Sequence, residues 1–276
     1  PRSTPKPSSA ASDVYKRQDM DATKHDGLSY FIIDMKQPGV ETQPLKQMNG
    51  YASFNQVFLT DAEVLPDFQV AELGDGWKVA TTTLMHERRA ADSLRAWGQV
   101  PDTDGPIYDQ ERAEVETTMA PYKWYPQRAG RVDLIMQRAK ETGAIKDPAV
   151  RQEIAKLMTL HKSAEWTARR ARSAQEQGKP QGPEGSLGKL AASNVARAAA
   201  KVHTMISGAD SMLSGDDSPE NGTVAEVLIS FPASSIAGGT DEIQKNIISE
   251  RVLDMPKETR FDAGKPFKDI PRNTIS

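Results

Sequence analysis

Cysteine is absent from the 276-residue sequence. Its absence excludes a disulfide framework, a thiolate metal site and a cysteine nucleophile, and it is typical of proteins in a reducing compartment. Basic residues are not in excess either, because 35 Lys and Arg stand against 38 Asp and Glu, for a net charge of −3. We therefore expect neither a nucleic-acid-binding surface nor a surface that binds anionic membranes.

Long apolar runs and several common site motifs are also missing. No segment approaches the roughly 20 apolar residues that span a bilayer, and we expect no signal peptide. The sequence has no GxGxxG after a predicted strand, no GxxxxGK[ST] and no GxSxG, so neither a nucleotide site nor a hydrolase elbow is indicated. The four histidines are scattered without metal-ligand spacing, so no metal site is predicted. Together these absences favour a soluble cytoplasmic protein.

Composition divides the chain into three parts. Residues 1–18 are rich in Pro, Ser and Ala, and we expect a disordered or non-native N-terminal segment. Its end, SSAASDVYKRQ, resembles translated sequencing-adapter sequence, so the natural coding region is expected to begin near Asp19, inside a gene. Residues 19–73 are predicted to form a partial β-domain with two or three strands between 28 and 66, and residues 74–276 a helical bundle with an extended tail.

Helical spacing of Ala, Leu, Arg, Glu and Met begins after Gly76. It predicts a mainly α fold, with four or five long antiparallel helices packed as a bundle. Asp147 is expected to cap the third helix, with Pro148 in its first position, and Ser186 is expected to cap the fourth. The expected helices span residues 77–98, 107–142, 148–177, 186–214 and 241–252.

A carboxylate interrupts the apolar stripe of the first predicted helix. Six positions with helical spacing lie along one face and are occupied by Trp77, Ala80, Leu84, Glu87, Ala91 and Leu94. Burial on that face would raise the pKa of Glu87 towards the range of a general base. Spacing alone favours the alternative that Glu87 pairs with a neighbouring cation, Arg88 or Arg89.

A pair of glycines, Gly238 and Gly239, precedes the last predicted helix in the segment IAGGTDEIQKNIISERV. Thr240 or Asp241 is expected to start this helix, with three isoleucines facing inward, at positions 243, 247 and 248. The backbone N–H groups at such a start can hold a phosphate or a polarised carbonyl. Many helices start this way and bind nothing, so the pattern by itself favours a structural turn.

Three segments, in this order, resemble the acyl-CoA dehydrogenase family: GLSYFIIDMKQPGVETQPLKQMNGYASFNQVFLTDAEV, GDGWKVATTTLMHER and AGGTDEIQKNIISERVLDMPKE. The resemblance runs from about residue 19 to residue 273 and is to the bacterial branch of the family. It implies an N-terminally truncated chain that holds the last strands of a β-barrel-like middle domain and a C-terminal four-helix bundle. We expect this fragment alone to be inactive.

The same resemblance implies an activity and its partners. An FAD cofactor would serve the α,β-dehydrogenation of an acyl-CoA thioester to a trans-2-enoyl-CoA, in fatty-acid and lipid metabolism. Electrons would pass to an electron-transfer flavoprotein, and the enzyme would be a homodimer or a homo- or heterotetramer. An unrelated helical interaction module would explain the bundle but not the three matching segments.

Site residues follow from the motifs of the family. In many members the catalytic base is a Glu directly before the Gly-Thr of the closing motif, but Gly238 occupies that position here. A second group, which resembles isovaleryl-CoA and long-chain acyl-CoA dehydrogenases, has its base on the first bundle helix, immediately before an Arg. The resemblance therefore implies that Glu87 is the catalytic base and that Arg88 and Gly238 bind substrate, with the Gly238 region polarising the thioester carbonyl.

Cofactor contacts are implied for Gly239, Thr240 and Glu242, which match positions beside FAD in the family. The RxxFG segment, which reaches the flavin nucleotide of a neighbouring subunit in the family, is not found after Arg88, where RAADSLRAWGQV stands instead. An alternative therefore stays open, in which the chain is a non-catalytic subunit of a heteromeric acyl-CoA dehydrogenase complex.

Overall fold

The computed structural model describes residues 14–17, 19–97, 103–120, 123–179, 182–257, 259–260 and 262–270, without the side chains of 14–17, 88–97 and 184. The chain forms two compact units. The first comprises Pro1–Leu45, Phe54–Met119 and Glu258–Ser276, and the second comprises Lys46–Ser53 and Ala120–Lys257. The predicted domain boundary at residue 74 stays a prediction.

The strands lie in the first unit. β1 (Val14–Arg17), β2 (Leu28–Phe31) and β5 (Gln69–Val70) form an antiparallel sheet in the order β1-β2-β5. β3 (Val40–Leu45) and β4 (Phe54–Leu59) form a separate antiparallel pair, in which Val40 lies opposite Leu59. Strands between residues 28 and 66 are therefore confirmed. Residues 1–18 are predicted to lie outside the fold, but β1, which lies within this segment, pairs with β2. Strand pairing uses backbone N–H and C=O groups, which any sequence supplies.

The described part of the first unit also contains two α-helices, α1 (Gly76–Trp97) and α2 (Pro106–Met119). α1 begins directly against β2, because a Cβ at Gly76 would lie 2.7 Å from the backbone carbon of Ser29. Seven residues further along α1, the Thr83 hydroxyl lies 3.5 Å from the hydroxyl of buried Tyr30. The beginning of α1 is thus fixed on the sheet by a backbone approach that only glycine permits.

The second unit is helical and confirms the mainly α fold. Its helices are α3 (Tyr125–Arg128), α4 (Val132–Glu141), α5 (Pro148–Glu176), α6 (Glu184–Ser207), α7 (Thr223–Ser230) and α8 (Asp241–Arg251). Helical spacing on α4, α5 and α6 brings their apolar side chains into one core. That core contains Ile135, Ala139, Val150, Ile154, Leu157, Val195, Ala199, Val202 and Ile206.

Helix caps follow the sequence signals only in part. The Asp147 carboxylate accepts a hydrogen bond from the backbone N–H of Ala149 at 2.8 Å, so the predicted cap and Pro start of α5 are confirmed. Ser186 as a cap is wrong, because α6 begins two residues earlier, at Glu184. α6 also ends at Ser207, where Gly208 with a φ of 58° stops the helix before the predicted residue 214.

The helix predicted over 107–142 is divided among α2, α3 and α4. Arg131 and Gly130 interrupt it with positive φ values of 42° and 95°. A Cβ at Gly130 would lie 2.8 Å from the Cβ of Ala199 on α6, so the chain passes α6 too closely for a continuous helix with side chains. The prediction of helix in this region is therefore right, but the prediction of one continuous helix is wrong, and the close approach of Gly130 to α6 accounts for the break between α3 and α4.

α7 is absent from the predicted helices. Its eight residues, TVAEVLIS, are too few to show a helical period, and β-branched residues favour strands. Burial of Val224, Ala225 and Val227 stabilises the helix in its tertiary context instead. Among the residues that the structure describes, no helix, including the 29-residue α5, is both long and apolar enough to cross a membrane.

Candidate functional site

The glycine pair lies in an exposed turn that precedes α8 in the second unit. Gly238 and Gly239 have φ values of +71° and +92°, in the left-handed region that glycine adopts without a steric penalty. The side-chain amide of Gln244 donates a hydrogen bond to the carbonyl oxygen of Gly238 at 3.1 Å. The φ of Gly239 favours glycine, and a Cβ there would lie 2.7 Å from Nε2 of Gln244, so a side chain would also displace the amide that bonds Gly238.

This turn presents hydrogen-bond donors to solvent. Within the described residues, the backbone N–H groups of Gly238 and Gly239 have no acceptor. The Thr240 hydroxyl oxygen accepts from the backbone N–H of Ile243 at 3.3 Å, which leaves the hydroxyl proton free to be donated elsewhere. Glu242 is exposed on the first turn of the helix. Donors grouped at a helix start can bind a phosphate or a polarised carbonyl oxygen.

α8 begins at Asp241 with Thr240 as its cap, as predicted, but its buried side is not the predicted one. Ile243 is 51 % exposed, whereas Asp241 and Gln244 are 5 % and 6 % exposed. Ile247 and Ile248 are only partly buried. The expectation of an apolar inner face is therefore wrong at Ile243, because a buried carboxylate and a buried amide form the contact side at the start of this helix.

Asp241 is held by two cations of α6. Its Oδ1 lies 2.9 Å from the Lys189 ammonium and its Oδ2 lies 3.3 Å from the Arg197 guanidinium. Burial by itself would raise the pKa of Asp241, but the hydrogen bond from Lys189 and neighbouring serine hydroxyls outweigh burial and lower the pKa to about 2. The carboxylate is consequently ionised throughout the neutral pH range. No sequence signal singles out this ion pair, because Lys189 and Asp241 are 52 residues apart.

Glu87 lies on α1, in the first unit, and its side chain is exposed. The stripe it shares is exposed as well, since Trp77 is 46 % and Leu84 44 % accessible. The expected burial of Glu87 is therefore absent within the described chain. His25 stacks on Trp77 with ring centroids 4.2 Å apart, and Ala80 is partly buried, whereas Leu84 stays largely accessible; the side chains of Ala91 and Leu94 lie outside the described residues. An uncovered apolar stripe is typical of a face that another surface covers.

The predicted site residues divide between the two units. Gly238, Gly239, Thr240 and Glu242 lie together at the start of α8 in the second unit, whereas Glu87 lies in the first. The backbone of Arg88 is part of α1, and its side chain is outside the described residues. The structure therefore supports a donor-rich turn and an accessible carboxylate as separate features, and the roles of all six residues stay predictions.

Comparison with known proteins agrees with the helical architecture. Residues 128–253, which contain α4 to α8, match the family model described as Acyl-CoA dehydrogenase, C-terminal domain. Residues 128–253 therefore carry the C-terminal domain of the acyl-CoA dehydrogenase family.

A similar protein is acyl-CoA dehydrogenase IpdE1 of Mycobacterium tuberculosis, which is 29 % identical over 253 residues. That alignment covers 90 % of this chain and 56 % of IpdE1, so the chain spans about half the length of this relative.

Solved structures show the same fold. The Tcur3481-Tcur3483 steroid ACAD matches with a TM-score of 0.66 and 19 % identity, over 89 % of this chain and 56 % of that chain. The ChsE4-ChsE5 complex from Mycobacterium tuberculosis matches with a TM-score of 0.59 and 20 % identity, over 85 % of this chain and 54 % of that chain.

Proposed function

We propose that the full-length product of this gene is an FAD-dependent acyl-CoA dehydrogenase. It removes hydrogen from Cα and Cβ of an acyl-CoA thioester, forms a trans-2-enoyl-CoA and passes the electrons to an electron-transfer flavoprotein. The observation that carries this proposal is the donor-rich turn at Gly238 and Gly239, which lies inside the region that matches the family domain.

The residues of the turn fit a flavin cofactor. Two successive glycines leave no side chain between an approaching ligand and the backbone, and the free N–H groups suit carbonyl and phosphate oxygens. Gly239 and Thr240 would donate to the cofactor, and the exposed Glu242 carboxylate could accept from its hydroxyl or ring N–H groups. When bound, FAD supplies the acceptor for the hydride that leaves Cβ.

Glu87 is the proposed catalytic base. Its exposed carboxylate is accessible to a substrate, and an oxygen of that carboxylate would accept the proton from Cα. The backbone N–H at Gly238 would donate to the thioester carbonyl, where negative charge develops as the proton leaves. Arg88, next to the base, would bind the substrate.

A non-catalytic subunit of a heteromeric dehydrogenase is the second candidate. Gly238 occupies the position at which many family members have their catalytic Glu, and the RxxFG segment is missing after Arg88. One structure with the same fold is a complex of two differently named proteins, ChsE4 and ChsE5. A chain in such an assembly could support a partner's site without performing the chemistry itself.

The test compares Glu87→Gln with wild type in the full-length product. Flavin content is measured first, and then the bleaching of flavin absorbance by a panel of straight-chain, branched and steroid acyl-CoAs. We expect the variant to retain FAD and its flavin to be bleached about 100-fold more slowly or slower still, because general-base catalysis typically contributes at least that factor to the rate. Glu72→Gln is the matched control, since Glu72 is another exposed carboxylate of the first unit.

Undiminished bleaching in Glu87→Gln would exclude Glu87 as the base. A wild-type product that binds FAD but is never bleached, unless a second dehydrogenase chain is added, would instead favour the non-catalytic subunit.

A further inference from the structure

One face of α6 contacts the chain on both sides of the glycine turn. Lys189, Ser193 and Arg197 are four residues apart, so they lie along a single stripe of the helix. The buried Ser193 hydroxyl donates to the carbonyl oxygen of Ser234 at 2.7 Å. The Arg197 guanidinium donates to the hydroxyl oxygen of Ser235 at 3.0 Å. Both contacts are made just before the turn.

The contact after the turn is the Asp241 carboxylate. It lies 2.9 Å from Lys189 and 3.3 Å from Arg197, and only 7 % of its side chain is exposed. Lys189 is also shielded, with 18 % of its side chain exposed, whereas Arg197 is 54 % exposed. Lys189 is therefore the less solvent-screened partner, and its loss would leave a buried carboxylate poorly compensated.

The turn itself has little else that holds it in place. Gly238 and Gly239 have no side chains, and Ile236 is 66 % exposed, so burial of apolar surface does not fix these residues. Gln244 holds the carbonyl of Gly238, but Gln244 belongs to α8 and moves with that helix. The ion pair between Asp241 and α6 is thus the charged link between the start of α8 and the helix beneath it.

We propose that Lys189 and Asp241 are positioning residues, which hold the backbone donors of the Gly238 to Thr240 turn at the place where acyl-CoA and flavin are bound. The ligands named here rest on the proposed function. Their role is to position the turn, because the Asp241 carboxylate is buried against α6 and its Oδ1 is paired with the Lys189 ammonium. A small displacement of the turn would weaken several ligand hydrogen bonds together.

The test uses the full-length product with Lys189→Met, which removes the ammonium, and Lys189→Arg, which keeps a cation. Lys201→Met is the matched control, because Lys201 also lies on α6 and forms an ion pair, at 2.8 Å with Glu153, away from the turn. The dissociation constants for FAD and for a non-reacting acyl-CoA analogue are measured together with the melting temperature. We expect about 10-fold to 100-fold weaker binding in Lys189→Met, near wild-type binding in Lys189→Arg, and no change in Lys201→Met.

Equal ligand affinity in Lys189→Met and Lys201→Met would overturn the proposal, whatever the two melting temperatures are. Hydrogen exchange tests the anchoring of the turn without any ligand, so a failure of the anchoring can be distinguished from a failure of the proposed function. The backbone N–H groups of Gln244 and Ile243 are bonded to Thr240 in the first turn of α8, at 3.0 and 3.3 Å. Faster exchange there in Lys189→Met alone supports the anchoring even if wild type binds neither ligand, and unchanged exchange refutes it.

Discussion

His203 is fully buried in the second unit and links α6 to the segment before α4. Its Nε2 lies 3.1 Å from the carbonyl oxygen of Gly130 and 3.2 Å from that of Arg131, so Nε2 carries the proton and donates it to these acceptors. Its Nδ1 is buried without a hydrogen-bond partner among the described residues. Burial lowers the pKa of His203. Hydrogen bonds to the two carbonyl groups and the negative charge of Asp133 raise the pKa, but the effect of burial is larger.

A pH dependence of stability follows from this residue. The folded chain keeps His203 neutral, whereas the unfolded chain takes up a proton below a pH of about 6.5. The stabilisation is therefore complete above that pH and decreases as the pH falls through it. We expect the free energy of unfolding, measured in urea, to decrease by up to about 1.4 kcal/mol per pH unit below that point.

The variant His203→Gln should remove this slope, whatever its stability at neutral pH. His161→Gln, at an exposed histidine of α5, should keep it. Parallel slopes in the two variants would contradict the assignment to His203. The carboxylates of Asp241 and Glu153 act at lower pH, because their pKa values are lowered to about 2 and their stabilisation is lost only as the pH falls from about 4 towards 2.

Which site residues can be recognised from the sequence depends on whether their signal is local. The glycine pair and the Thr240 cap are adjacent in sequence, and the structure confirms the turn and the helix start. The anchor of that turn was not predicted, because Asp241 meets Lys189 only through tertiary packing. The role of Glu87 stays a prediction that rests on the family resemblance. Its place in an apolar stripe predicts burial, yet burial of a stripe depends on what covers it, which spacing does not reveal.

At the scale of elements, Gly130 is the position that sets the break between α3 and α4. Its φ is +95°, and an added Cβ would lie 2.8 Å from the Cβ of Ala199. Ala199 is itself fully buried in the core of the second unit, so it cannot yield easily. The carbonyl oxygen of Gly130 is also an acceptor for His203, which ties this break to the imidazole at 3.1 Å.

Gly130→Ala should therefore destabilise the chain strongly. We expect a loss of about 2–4 kcal/mol in the free energy of unfolding, from backbone strain combined with overpacking. Gly143→Ala is the control, because Gly143 has a φ of +76° but nothing within 4 Å of an added Cβ. That variant should lose only about 1 kcal/mol from strain. If urea titrations gave equal losses in the free energy of unfolding for the two variants, the contact with Ala199 would not be the cause of the destabilisation.

Helices with a long apolar period were predictable, and helices defined by their surroundings were not. α5 was predicted to within one residue at its end, because Asp147 and Pro148 mark its start and its 29 residues repeat the period several times. α7 has only eight residues and owes its conformation to burial of Val224 and Val227. The break between α3 and α4 depends on the close approach of Gly130 to α6, and no local pattern encodes that contact.

On the scale of the whole molecule, much apolar surface is exposed within each unit. In the first unit, β3 and β4 are exposed along nearly their whole length, with Phe54 at 49 % and Phe58 at 39 % accessibility. In the second, Ile236 and Leu253 are 66 % and 64 % accessible. Apolar surface of this extent is typical of an interface. The chain also spans 56 % of the length of IpdE1, so activity belongs to the full-length product in our proposal.

The most direct test of the proposed function is a crystal structure of the full-length product with FAD and a non-reacting acyl-CoA analogue. We expect a Glu87 carboxylate oxygen within about 4 Å of Cα of the analogue, and the Gly238 N–H within about 3 Å of the thioester oxygen. A structure in which Glu87 remains in solvent, or in which the turn contacts neither ligand, would contradict the proposed site.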